Sequence, residues 1–120
     1  IVITDIKKYI YDLEEWLIRT IAEWGVTGER REGRVGIWVD LAPYGRVGEA
    51  KIAAIGVRIR HWVAFHGVAL NVSPELDNFK GIVPCGLSAF GVTSLADLGI
   101  DVSMREADEA LKRNFRGVFG

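Results

Sequence analysis

Three kinds of residue in this 120-residue chain can do chemistry: one thiol, a lysine on an apolar strand, and two imidazoles. Cys85 stands in Val83-Pro84-Cys85-Gly86-Leu87. Proline fixes the backbone before it, and glycine lets a ligand or another backbone approach after it. That setting suits a thiol nucleophile on a loop, although a lone cysteine is also among the most commonly buried residue types. Lys51 opens an apolar strand. Strict strand alternation puts its side chain on the side of Ala53, Ile55, Val57 and Ile59. An ammonium on such a face is costly unless it has a partner or snorkels to water from a strand end. Beside a thiol it would favour the thiolate and lower its pKa. His61 and His66 can act as bases for a thiol, but structural imidazoles are more common. Arg58, Arg60 and His61 form a basic stretch that suits a phosphate, an acidic partner or plain solvation.

Metal and nucleotide signatures are weak. One cysteine excludes a multi-cysteine zinc or iron–sulfur site, and two histidines without a spaced carboxylate make no metal motif. Gly45-Arg46-Val47-Gly48 lacks the lysine-serine/threonine ending of a phosphate loop, and no dinucleotide fingerprint is present.

The elements that must position these groups follow from periodicity. Ile6, Tyr9, Ile10, Leu13, Trp16, Leu17, Ile21 and Trp24 make one helical stripe, which predicts a helix over 5–24. Thr4 or Asp5 caps it, and Gly25 ends it. Residues 28–36 read as a polar loop, 35–39 as a strand, and 41–48 as a second loop. Residues 50–59 and 62–72 read as two apolar strands that pair antiparallel. The irregular stretch 73–91 carries Cys85. A short turn or helix over 93–98 ends at Gly99, and a final helix over 103–115 begins with a Ser103–Glu106 capping box. The whole reads as a single α+β domain with a mixed or antiparallel sheet and flanking helices.

Bulk properties narrow the class. With 15 basic and 16 acidic residues the net charge is −1, which argues against a broad nucleic-acid footprint. No apolar run approaches the ~20 residues needed to cross a bilayer, and no signal peptide is visible. A single thiol fits a reducing compartment, the cytoplasm or an organelle matrix, and of these a cytoplasmic location is expected. The chain begins at Ile1 and its one methionine is Met104, so it reads as a processed or excised piece.

Three blocks, in order and spacing, resemble the lipoyl(octanoyl) transferases, also called lipoate-protein ligase B. They are the run from Lys51 to Arg60, Phe65-His66-Gly67-Val68-Ala69-Leu70-Asn71-Val72, and Ile82-Val83-Pro84-Cys85-Gly86. Gly36-Ile37-Trp38-Val39 is similar to the family's strand before the lysine. The resemblance covers essentially the whole chain. It implies kinship in fold with lipoate and biotin ligases and a two-step acyl transfer without ATP or another cofactor. Octanoyl-acyl carrier protein would be the donor and Cys85 the acyl-carrying nucleophile. Lys51 would tune the thiol and serve proton transfer. The acceptor would be a lysine on a lipoyl domain of 2-oxoacid dehydrogenases or on the glycine-cleavage H protein. Backbone around Ala54, Ile55 and Gly56, and around Gly67, Val68 and Ala69, would line the acyl pocket.

Small residues at those positions leave room for a slender alkyl chain, but they equally suit close strand packing. The pairing predicts the ammonium and the sulfur within a direct or one-water hydrogen bond, about 3–6 Å. Family members also carry, before this region, a segment of the form Arg-Gly-Gly…Thr…His-Gly-Pro-Gly-Gln that walls much of the pocket. This chain starts about where that segment ends, so it reads as the C-terminal half, N-terminally truncated. The alternative is an inactive fragment or interaction module that keeps the fold without a complete acyl pocket. An ATP-dependent lipoate or biotin ligase is disfavoured, because those ligases do not use a Pro-Cys-Gly block for catalysis.

Overall fold

A computed structural model describes residues 5–60, 63–72 and 91–120, with the side chains of 57–60 and 63–67 excepted. Helix α1 spans Ile6–Ala22. The Asp5 carboxylate caps it by accepting the Lys8 backbone N–H at 3.1 Å. Gly25, at φ +79°, turns the chain out of the helix. Tyr9, Leu13, Leu17 and Ile21 recur every four residues and are all buried, the last two completely. Each such side chain is worth about 1.5–3 kcal/mol when fully removed from water.

The sheet follows. Strand β1 is Glu29–Arg31, β2 Arg34–Asp40, β3 Glu49–Arg60, β4 Val63–Leu70 and β5 Gly91–Val92. The spatial order is β1-β2-β3-β4, with antiparallel pairs throughout, and β5 adds to β3 in parallel. The stretch expected to be a loop over 28–36 is instead strand β1 and a tight turn into β2. Its charged residues are held by cross-strand ion pairs: Arg31 to Glu49 at 2.7 Å and Arg34 to Glu49 at 2.6 Å. Gly33, at φ +75°, makes the turn. The expected antiparallel pair is present as β3 and β4, in continuous register from Ala53↔Leu70 to Arg60↔Val63.

Helix α2, Met104–Phe119, starts with the anticipated capping box. Ser103 Oγ accepts the Glu106 N–H, and Glu106 Oε1 accepts the Ser103 N–H, both at 3.1 Å. The helix runs four residues beyond the expected end at Phe115, because Phe119 still packs with Tyr9 and Trp16 of α1. Trp16 joins the helices, its indole N–H donating to the Leu111 carbonyl at 2.7 Å. Both helices share one core with Ile37, Val39, Ile52 and Ala53, so they lie on one face of the sheet.

Candidate functional site

The site is set by one irregularity. Ile37 pairs with Ala53 and Trp38 with Lys51, so β3 carries one extra residue, Ile52, between these pairs. This is a β-bulge. Ile52 and Ala53 therefore both turn into the helix-side core, at 0% and 1% exposed. Residues directly opposite each other in a sheet share a face. Ile37 and Ala53 belong to the core, so Trp38 and Lys51 face the other way. The expected alternation, with Lys51 on the side of Ala53 and Ile55, is thus corrected: the bulge reverses it, and Lys51 projects from the face opposite the helices.

That face also carries the small residues. Ala54 pairs with Ala69 and Gly56 with Gly67, while Ile55 pairs with Val68. Ile55 and Val68 turn toward the helices and pack on Tyr9 and Leu13. Ala54, Gly56 and Ala69 are exposed. A methyl group added at Gly56 would meet no described atom within 4 Å. The six residues expected along an acyl pocket therefore divide. Ala54, Gly56, Gly67 and Ala69 form a side-chain-poor track on the face of Lys51, while Ile55 and Val68 contribute only backbone to it.

Lys51 is half-buried beside Trp38, its Nζ 5.7 Å from the ring centroid. The Arg34 guanidinium lies 4.5 Å over the same indole. The indole N–H donates to the Arg34 carbonyl at 3.2 Å. Glu49 faces Arg31 and Arg34, whose hydrogen bonds hold its carboxyl below the usual glutamate range. No carboxylate among the described residues lies within ion-pairing distance of Lys51.

The backbone of Lys51 is equally marked. Its carbonyl accepts the Thr93 N–H at 2.9 Å, and the Ile52 carbonyl accepts the Asn71 N–H at 3.0 Å. Gly91 and Val92 pair with Ala50 and Lys51. The chain on both sides of residues 73–90 is thereby bonded to the strand that bears Lys51. The Asn71 side-chain amide ties the two sides together by donating to the Thr93 carbonyl at 3.0 Å. Cys85 and His61 lie outside the described residues, as does the distance expected between Cys85 and Lys51. His66 and Gly67 are described only through their backbone pairing in β4. No group of three metal-ligating side chains occurs among the described residues, and no helix there is long and apolar enough to cross a membrane.

The reading of the sequence gave no role to Gly36, which lies against Lys51, or to Glu14, which bonds Gly36. Gly36 sits buried in β2 at φ +128°, and its N–H donates to the buried Glu14 carboxylate of α1 at 3.3 Å. A glycine inside a strand is itself a signal of close approach, so Gly36 was findable. Glu14 was hidden, because a helical glutamate beside apolar residues reads as surface.

Comparison with known proteins adds the following. Residues 3–116 match the lipoyl protein ligase A/B catalytic domain. The octanoyltransferase of Parvibaculum lavamentivorans is 63% identical over 116 residues, which cover 97% of this chain and 52% of that protein. The octanoyltransferase of Paramagnetospirillum magneticum is 61% identical, again over 97% of this chain and 53% of the relative. The chain spans about half the length of the curated relatives it matches. Among solved structures, the bi-partite lipoate protein ligase of Thermoplasma acidophilum superposes with a TM-score of 0.75 at 20% identity, covering 98% of this chain and 47% of that one. Lipoate-protein ligase A bound with ATP superposes at 0.74, covering 96% and 47%. At 20% identity these structures establish a shared fold.

Proposed function

We propose, for a chain that belongs to the lipoyl protein ligase A/B catalytic-domain family, that it carries the chemistry of an octanoyltransferase, as its relatives' names suggest. Cys85 would be the nucleophile and Lys51 its activator. The observation that carries this reading is the bulge at Ile52. It sets Lys51 on the same face as the Ala54–Gly56–Gly67–Ala69 track, and both flanks of the cysteine-bearing segment are bonded to the Lys51 strand.

The chemistry runs in two exchanges. The Cys85 thiolate attacks the thioester carbonyl of octanoyl-acyl carrier protein. A carbon–sulfur bond to Cys85 forms, the bond to the carrier's sulfur breaks, and the carrier thiolate takes a proton. The neutral amine of an acceptor lysine on a lipoyl domain then attacks the octanoyl-Cys85 thioester. An amide forms, Cys85 leaves as thiolate, and the amine's proton is released. The ammonium of Lys51 favours the thiolate at both ends of the cycle and is a proton source for the departing carrier thiol. The side-chain-poor track accommodates a slender alkyl chain against sheet backbone. Neither exchange draws on a nucleotide, because the thioester is already activated. Lipoyl domains of 2-oxoacid dehydrogenases and the glycine-cleavage H protein are the proposed acceptors, and the cytoplasm is the proposed compartment.

Intact-mass measurement after incubation with octanoyl-acyl carrier protein tests this. An octanoyl adduct that maps to Cys85 and is lost on adding a lipoyl domain is expected. Absence of an adduct would support the alternative, an interaction module that keeps the fold without a complete acyl site.

A further inference from the structure

We propose that Gly36 is a positioning residue for Lys51: the side chain it lacks is the slot in which the lysine stem lies. Its catalytic meaning rests on the function proposed above, but its geometry stands independently. A Cβ built on Gly36 would fall 2.3 Å from Lys51 Cε, 3.1 Å from Nζ and 2.9 Å from the Ala53 carbonyl oxygen. The first and last of these are closer than real Cβ atoms approach. The Gly36 backbone, at φ +128°, is in a region that L side chains rarely adopt. It is also held from behind, because its N–H donates to Glu14, a carboxylate only 8% exposed that lies 3.4 Å from the Arg30 guanidinium. Gly36 therefore has little freedom to retreat from a methyl group. The lysine end would have to move aside, while the contact with the Ala53 carbonyl oxygen would remain.

The slot and the bulge act together. The bulge turns Lys51 to the face away from the helices. The bare Cα of Gly36, two residues before Trp38 on the same face, lets the stem run flat across β2 to the indole rather than stand out into solvent. Lysine is a flexible point charge on a four-carbon stem, so confining its stem is what makes its ammonium effective at one place. The charged groups next to Gly36 and Trp38 are Glu14 on α1 and Arg34 on β2.

The test compares the protein with Gly36→Ala, Lys51→Ala and the double variant, a cycle that isolates coupling between neighbours. If Gly36 is the slot, Gly36→Ala lowers the thermal unfolding midpoint. Lys51→Ala then recovers a measurable part of that loss, because it removes two of the three atoms the methyl strikes, while the Ala53 carbonyl oxygen and the φ of Gly36 keep the rest. A Gly36→Ala chain that does not fold alone but folds as the double variant gives the same answer. Equal losses in both backgrounds, or no folding in either, would assign the cost to the φ of Gly36 and the Ala53 carbonyl and overturn the slot. The second readout is the pH profile of Cys85 alkylation by iodoacetamide. Gly36→Ala should move that profile in the same direction as Lys51→Ala and add nothing to it in the double variant. A profile moved by Lys51→Ala but not by Gly36→Ala overturns the positioning role. A profile that Lys51→Ala leaves in place defeats the Lys51–Cys85 pairing instead, and the unfolding cycle still decides the slot.

Discussion

Lys51 shows how much a single side chain depends on its neighbours' register. Its ammonium is an exception on an apolar strand only until the bulge at Ile52 is counted, after which it faces Trp38 rather than the core. If it serves the thiol, Lys51→Met keeps the length and removes the charge. A close opposite charge lowers an acid's pKa by about one unit or more. Its loss should therefore raise the Cys85 pKa and slow alkylation roughly tenfold at pH 7. Iodoacetamide kinetics from pH 6 to 9, a window around the ordinary cysteine pKa of about 8.5, measure this. Superimposable profiles would show that Lys51 does not activate the thiol.

At the scale of elements, the two helices act as a unit through Trp16. Its ring meets Phe115 edge-on at 5.3 Å and Phe119 at 6.2 Å, and its N–H reaches Leu111 of α2. Trp16→Ala should cost about 2–3 kcal/mol, toward the low end for a large aromatic because the ring is only half-buried. Urea denaturation gives the number, and a loss under about 0.5 kcal/mol, the ordinary surface value, would mean that α2 docks by other contacts. Ser103→Ala removes the cap acceptor of α2 and should cost about 1 kcal/mol. The turn after β5 is held by a different device. Thr93 Oγ1 donates to Asp97 at 2.6 Å, and the Arg46 guanidinium approaches the same carboxylate at 3.0 Å. This ties the segment that follows Val92 to the loop between β2 and β3.

The whole molecule inherits an acid sensitivity from such carboxylates. Hydrogen bonds from Arg19 and Arg30 hold Glu15 below its usual range, one from Arg113 does so for Glu23, and those from Thr93 and Arg46 do so for Asp97. A folded pKa below the unfolded one contributes stability that is complete above the unfolded value, about 4, and is lost as pH falls through the folded value. The unfolding midpoint should therefore hold steady down to about pH 5 and decline below about pH 4, less steeply in Asp97→Asn. A decline that begins between pH 8 and 6 would assign the sensitivity to other groups. The sheet adds a second property. In the described residues β4 is an edge of the β1-to-β4 order, and the face with Ala54, Gly56 and Ala69 is exposed. An exposed, side-chain-poor sheet face promotes association. Light scattering should show concentration-dependent self-association of the 120-residue chain. A monodisperse monomer across that range would show the face to be self-sufficient.

Much of this architecture was legible in the order of residues alone. Helical periodicity located α1, Ser103 and Glu106 located the start of α2, and two apolar runs located the β3–β4 pair, because these are local patterns of burial and capping that need no distant partner. Lys51 was likewise visible by type. Tertiary structure decided which way it faces. Strand β1 was missed because its residues are charged and the partners of its two arginines, Glu14 and Glu15 for Arg30 and Glu49 for Arg31, lie far along the chain. The face of Lys51 was misread because side-chain alternation has a period of two, so one extra residue at Ile52 reverses every assignment before it. A bulge is a property of two strands in register, and nothing in either strand by itself announces it.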